Sequence, residues 1–255
     1  MRFWLFVLFF LFSLGWISVA WAGPPFETDD PEPPEPGHWE IYLGVTALQI
    51  QDDFSGTAPF LELNYGAMPD IQLSLTEQTS FNFATGSPGY FGYGDVLVGV
   101  KYRFLHESTD IPQAAIYPQV NLPTGDFGKG LGSGQYQLLL PLWLQKSWGP
   151  WTTFGGGGYW FNPGSGNQNW VFVGWEIQRD ISSLLTLGGE IFYHSANTTG
   201  ESDSVGFNLG GMLNFDEVNH IVFSAGRDLI QPENQFTGYV AYEWTFPMGE
   251  SSEKP

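Results

Sequence analysis

The sequence predicts an all-β protein, a transmembrane antiparallel up-and-down β-barrel of about 12 strands. Three observations lead there: a composition hostile to helices, short runs that alternate with period 2, and connections that alternate between tight and long. The 255 residues include 33 glycines and 18 prolines, each unfavourable inside a helix. Aromatic residues reach 17% while charged residues stop at 14%. A mean hydropathy of −0.11, with no long apolar run after residue 21, excludes a polytopic helical membrane protein. The absence of cysteine excludes disulfides, thiol catalysis and cysteine-ligated metals. Eight Lys and Arg against 27 Asp and Glu repel a phosphate backbone, so nucleic acid is not an expected partner.

The chain opens on Arg2, an apolar stretch, and Ala20-Trp21-Ala22 just before Gly23. A positive start, an apolar middle and small residues two apart describe a secretory signal peptide over residues 1–22. A retained anchor helix is the competing reading, since the apolar stretch is nearly long enough to cross a bilayer. Residues 23–37 hold six prolines and five carboxylates, which forbid helix and central strand. They read as an extended, solvated lead-in in the periplasm, either a spacer or a segment folded into or beneath the domain that follows. Residues 247–255 read as a flexible C-terminal tail.

Between them, twelve strand-like runs are bounded by Gly, Pro, Asn or Asp. They fall near 38–50, 58–67, 70–82, 94–105, 112–122, 134–146, 151–161, 169–178, 184–195, 204–215, 219–226 and 236–246. The connections at 68–69, 106–111, 147–150, 179–183 and 216–218 are tight. Those at 52–56, 85–93, 124–133, 162–168, 196–203 and 227–235 are mostly longer and polar. Short turns at one rim and longer loops at the other, over an even strand count, are the layout of an outer-membrane barrel.

Each run has one apolar and one polar face. Val96, Val98, Val100, Tyr102 and Phe104 oppose Asp95, Gly99, Lys101 and Arg103. Periodicity alone leaves open which face points inward, because the pattern is symmetric under inversion. Aromatic placement favours the apolar face outward: Trp39, Tyr65, Tyr102, Phe104, Trp244 and Phe246 gather toward the short turns, and Phe161, Phe207 and Phe236 toward the long loops. Two such belts suit the two membrane interfaces. Lys101 and Arg103 are the only basic residues expected inside a strand, and both are on the polar face.

Several segments resemble a known family. They are Thr28-Asp29-Asp30-Pro31, Gly37-His38-Trp39, Gly94-Asp95-Val96 leading to Lys101-Tyr102-Arg103, Pro123-Thr124-Gly125-Asp126, and Gly155 to Tyr159 before Asn162-Pro163. In order along the chain, they resemble the bacterial outer-membrane family named for the meta-pathway of phenol degradation. The resemblance implies an outer-membrane barrel that transports aromatic or other apolar small molecules. It departs at the end of the chain, where Phe246 is followed by PMGESSEKP. Many such barrels end instead on an aromatic read by the barrel assembly machinery, a role left here to the alternation of Tyr242, Trp244 and Phe246.

A barrel of this size has a lumen wider than one of eight strands and narrower than a porin's. The polar face places Glu40, Glu62, Glu176, Glu190 and Glu243 inside, with Lys101 and Arg103 as the selectivity cations. The carboxylates are expected to pair with those cations or line water. That gives a passive channel for small molecules, with both ends of the chain in the periplasm and outer-membrane lipid and lipopolysaccharide around it. The competing readings are a non-conducting structural or adhesion barrel, a membrane-embedded lipid hydrolase and a soluble secreted β-protein. No cofactor or metal is expected, since His38, His106, His194 and His220 have no ligand spacing. His194-Ser195 cannot form a dyad, because adjacent strand residues point to opposite faces. Gly155 to Gly158 lacks the Lys-Ser or Lys-Thr of a phosphate loop and reads as a place for bends and close packing.

Overall fold

The computed structural model describes residues 25–230 and 236–247. The expected signal peptide and most of the expected tail lie outside the described residues. Fourteen strands form one sheet: β1 (His38–Ile50), β2 (Asp53–Met68), β3 (Ile71–Phe83), β4 (Tyr90–Tyr93), β5 (Val96–Leu105), β6 (Gln113–Ile116), β7 (Gln119–Leu122), β8 (Gln137–Trp148), β9 (Trp151–Phe161), β10 (Trp170–Asp180), β11 (Leu185–His194), β12 (Ser204–Asn214), β13 (Asn219–Ile230) and β14 (Phe236–Pro247). Each strand pairs antiparallel with its neighbour, and β1 pairs with β14 from His38↔Pro247 to Gln49↔Phe236, which closes the barrel. Closure satisfies every wall strand on both edges, as a strand structure in lipid must.

Twelve staves make the wall. β6 and β7 are two halves of one stave, because Pro118 has no N–H to give the ladder and splits the strand between β5 and β8. β4 is an extra segment pairing with the upper part of β3. The strand count and faces agree with expectation, while three boundaries differ. Residues 52–56 form no loop: β1 and β2 are joined by a two-residue turn at Gln51-Asp52, with Gln51 at φ 51°. β13 runs on to Ile230, so Arg227 belongs to a strand. Lys146 and Arg179 also fall inside β8 and β10.

The inversion ambiguity resolves with the apolar face outward. Val100, Tyr102, Leu142, Val173, Trp175, Ile191, Leu209 and Val240 are exposed on the outside, whereas Gln72, Lys101, Glu176, Glu190, Asn208 and Glu243 are buried within. Tyr102, Phe104, Phe161, Phe236 and Phe246 are exposed at the rims, where the aromatic belts were expected. Contrary to expectation, two strand arginines face outward. Both lie near strand ends: Arg179 is stacked 5.1 Å from the Trp151 ring centroid, and Arg227 lies three residues before the end of β13. Their long stems can carry the guanidinium to headgroup depth, so neither charge needs to sit in hydrocarbon.

The lumen is not wholly polar. Tyr42, Phe60, Val222 and Ala241 form one internal cluster, and Tyr117, Trp143, Phe172 and Phe192 another on the far side. Gly155 to Gly158 do pack closely: the Trp175 ring lies over Gly155 where a Cβ would stand, and the Leu142 carbonyl meets Gly156.

Candidate functional site

The lumen is occupied by the chain's own N-terminal segment. Its many prolines keep residues 25–36 extended, as composition requires. Of the two expected readings the folded-in one holds in place of the solvated spacer: the segment lies inside the barrel, where Thr28 is 1% exposed and Asp30 3%, with Pro25, Pro31, Pro33 and Pro34 also buried, while Glu27, Glu35 and Pro36 stay exposed. Gly37, at φ 80°, turns this segment into β1. Its amide donates to the Gly66 carbonyl at 2.7 Å, and the His38 amide donates to the Glu35 carbonyl at 2.9 Å. From that turn, at the rim that is periplasmic in outer-membrane barrels, the segment climbs the interior.

Its contacts are ordered by height. Nearest the turn, the wall is glycine: at Gly66 a Cβ would occupy the space of the Pro34 and Glu35 carbonyls. Next, Arg103 holds Glu32 at 3.2 Å and Asp70 at 2.9 Å, while the Gln113 amide donates to Glu32 at 3.2 Å. One level up, Lys101, 3% exposed, lies 3.1 Å from Asp29 and 3.6 Å from Asp30, with its Nζ 5.0 Å from the Tyr117 ring centroid. Above that, Glu190 accepts the amides of Glu27 and Thr28 at 2.8 and 2.9 Å and the Thr28 hydroxyl at 2.7 Å. Asn208 donates to the same carboxylate at 2.7 Å. Thr28 Oγ1 stands where a Cβ of Gly174 would be. At the top, Ser224 donates to the Pro25 carbonyl at 2.5 Å, and His194 Nε2 lies 2.9 Å from Glu27.

The residues expected to govern selectivity therefore divide. All seven line the interior, but Lys101 and Arg103 do not pair with the wall glutamates. They pair with Asp29, Asp30 and Glu32 of the lead-in, because that segment brings a denser row of carboxylates within reach. Glu190 holds the segment by accepting hydrogen bonds, and Glu176 lies opposite Glu190 in the β10–β11 register. Glu40, Glu62 and Glu243 gather on the β14–β1–β2 wall. There Tyr42 donates to Glu243 at 3.2 Å and Asn64 to Glu62 at 3.0 Å. The closure of β1 on β14 brings Glu40 and Glu243 to neighbouring rungs, as their strand positions suggest.

A second segment enters from the opposite rim. Residues 123–136 fold over the upper lumen around Asp95, whose carboxylate accepts the Gly125 amide at 2.9 Å, the Ser133 amide at 2.7 Å, the Ser133 hydroxyl at 2.6 Å and Asn121 at 2.8 Å. Burial opposes ionisation of Asp95, but the Ser133, Gly125 and Asn121 hydrogen bonds outweigh it and hold the carboxyl below the usual aspartate range. Thr124 donates to the Gly94 carbonyl at 2.9 Å. Pro123 follows the end of β7, and Asp126 pairs with Lys129 at 2.7 Å across a short 3-10 turn. Leu131, 5% exposed, plugs the underside.

Two cavities lie on the long-loop side. One, of about 450 Å³, lies beneath this loop among Thr57, Thr76, Asp95, Asn121, Leu131 and Trp160. The other, of about 730 Å³, opens above the tip of the lead-in. The histidines are dispersed: His38 contacts the Pro36 carbonyl, His106 contacts Asp70 and His220 contacts Asn214, while His194 Nε2 lies 2.9 Å from Glu27 without hydrogen-bond geometry. Ser195 Oγ accepts the Val171 amide at 2.8 Å. Sequence reasoning missed the wall glycines Gly66 and Gly174, which are recognisable only once the segment they admit is in place.

No protein-family model matches the sequence, and no curated protein matches it. Solved structures do. An outer membrane channel from Pseudomonas putida F1 superposes with a TM-score of 0.66 at 13% identity, covering 89% of this chain and 100% of the other. The KdgM porin in complex with disordered oligogalacturonate gives 0.54 at 12% identity, over 80% and 99%. The translocator domain of the autotransporter NalP from Neisseria meningitidis gives 0.53 at 11% identity, over 82% and 88%. This chain has the fold of the 12-stranded outer-membrane barrels.

Proposed function

We propose that this protein is an outer-membrane channel for passive uptake of small molecules, closed at rest by its own N-terminal segment. We further propose that it belongs to the meta-pathway family its motifs resemble, and that its solutes are aromatic or other apolar molecules. The supporting observation is the pair of buried cations, Lys101 and Arg103, facing Asp29, Asp30 and Glu32 of residues 25–36. A barrel needing only a filled interior could use packed apolar side chains, since a buried ion pair adds little net stability over them. An ion-paired strap fits a segment that must also leave. Secretion with removal of residues 1–22 is part of this reading, and the position of Pro25 near the long-loop rim supports it.

The experiment is planar-bilayer conductance of wild type beside K101Q/R103Q. The double variant should open more often and, with two lumen cations gone, favour cations more strongly. Absence of current from both, with unchanged uptake on deletion of the protein, would leave the non-conducting structural barrel.

A further inference from the structure

A large apolar recess, of about 1070 Å³, lies on the outer wall of the barrel and not in its lumen. Its ridges are Leu140, Leu142 and Leu144 of β8 on one side and Val173 and Trp175 of β10 on the other, all of them exposed. Between these ridges β9 contributes Gly155 and Gly157, which have no side chain to fill the space. Tyr159 stands at the upper end.

Below the recess the same three strands end in a rim of different chemistry. Trp148, Trp151 and Arg179 are neighbours in the register, each four residues down its strand from Leu144, Gly155 and Trp175. Arg179 is exposed, stacks 5.1 Å from the Trp151 ring centroid, and has no ion-pair partner among the described residues. Nearby Lys146 is already neutralised: its Nζ lies 2.9 Å from Glu107 and donates to the Ser108 carbonyl at 2.6 Å. In a chain of net charge −19, the anion that would complete Arg179 has to come from outside.

At this rim the guanidinium reaches headgroup depth, where the available anion is a phosphodiester. Arginine matches its oxygens in a bidentate fork, and tryptophan indoles favour the same depth. Four strand residues span about 13 Å, or about 10 Å of depth at the usual barrel tilt. That is less than the roughly 15 Å of hydrocarbon in one leaflet. An acyl chain hanging from a phosphate at Arg179 therefore reaches the recess. The short-turn rim is the periplasmic one, so the lipid is one of the inner leaflet.

We infer that this face binds one glycerophospholipid of the inner leaflet, with its phosphate on Arg179 beside Trp148 and Trp151. One of its acyl chains fills the recess over Gly155 and Gly157. The site is on the outside of the wall and the closing segment is inside, so the inference needs only the barrel in its membrane and is independent of conduction.

The test is native mass spectrometry of the mature barrel, refolded in detergent and titrated with palmitoyl-oleoyl phosphatidylglycerol. A saturable complex with one lipid is expected. R179Q should weaken it at least tenfold and R179K severalfold, whereas R227Q, which removes the outward arginine near the other rim, should leave it unchanged. V173W sets a ring across the recess from an exposed position and should weaken the complex at least fivefold; should that variant fail to give the folded, heat-modifiable band, L142W does the same from the opposite ridge. Palmitoyl-oleoyl glycerol, which lacks the phosphate, and inorganic phosphate, which lacks the chains, should each bind at least tenfold more weakly. A graded series of lipids without saturation, equal losses in R179Q and R227Q, an affinity indifferent to the ring in the recess, or equal retention of the diacylglycerol would each overturn the site. Since no current is read, a non-conducting barrel passes this test if the site exists and a conducting one fails it if the site does not, which separates the two proposals.

Discussion

Two segments enter this barrel from opposite rims, and they are held by different physics. Residues 25–36 are tied mainly by charge: Lys101 and Arg103 face Asp29, Asp30 and Glu32, and Glu190 receives the amides above them. Residues 123–136 are tied by one carboxylate, Asp95, that collects neutral donors, and by glycines such as Gly125 that bring backbone against the Leu131 carbonyl. Ion pairs inside a lumen depend on every partner being present and on water staying out, so they suit a strap that releases. A carboxylate saturated by backbone and hydroxyl donors is a local fold, indifferent to what passes below. On the proposed channel reading, the contrast makes the lower segment the moving part and the upper loop a fixed rim.

The contrast breaks hardest at Lys101. K101Q leaves Asp29 and Asp30 facing each other without their cation, and removing one partner of a buried pair costs about 3–5 kcal/mol. We expect the lead-in to leave the lumen, giving a severalfold higher open probability in bilayers while the heat-modifiable band persists. A weaker version replaces space instead of charge. G174L would drive a side chain into the position of Thr28 Oγ1, and overpacking of this kind costs about 1–3 kcal/mol. Open probability should rise, by less than in K101Q.

The upper loop should respond independently. D95N turns an acceptor into a donor facing donors, at a cost of about 1–3 kcal/mol. Trypsin should then cut after Lys129 faster, while open probability changes little. The folded Asp95 carboxyl is held below its ordinary value, so its support of the loop is complete above the ordinary aspartate range and is lost as pH falls through that lowered value. Hydrogen exchange of residues 124–133, corrected for intrinsic rates, should accelerate on acidification in wild type and stay flat in D95N. Smallest of all is D126N at the exposed Lys129 pair, which should leave cleavage rate and gel mobility unchanged.

The sequence makes the wall legible and its occupant illegible. The period-2 faces of β5 and β12, the rim aromatics and the alternating connections lead to the right strand count, because each rests on local chemistry repeated around the barrel. Composition also establishes that residues 23–37 are extended, since prolines permit little else. It cannot say where an extended acidic segment goes. The placement depends on Lys101 meeting Asp29 across 72 positions and on Gly174 leaving room for Thr28, pairings with no local signature. For the same reason the wall glutamates look like partners for the two cations: without the lead-in inside, they are the carboxylates that the strand interiors offer. Arg227 is misplaced because Gly226 and Asp228 read as the start of a loop, while Asp228 instead turns inward at the cavity wall.

The resemblance motifs gain a structural meaning. Thr28, Asp29, Asp30 and Pro31 lie inside the lumen, Gly37 and His38 make the turn that sends the segment there, and Trp39 packs against Tyr65 at 4.7 Å on the outer face. Pro123 to Asp126 belong to the fixed loop. The two motifs therefore mark the two inward segments, and the second does not touch the cations.

The central claim is that residues 25–36 occupy and close the lumen. A chain without native cysteine allows a clean test: T28C/G174C, oxidised, in a planar bilayer, with reductant added during recording. Our account predicts that the disulfide forms in the folded barrel, abolishes openings, and releases them when reduced. A disulfide that does not form, or a current indifferent to its presence, would contradict it.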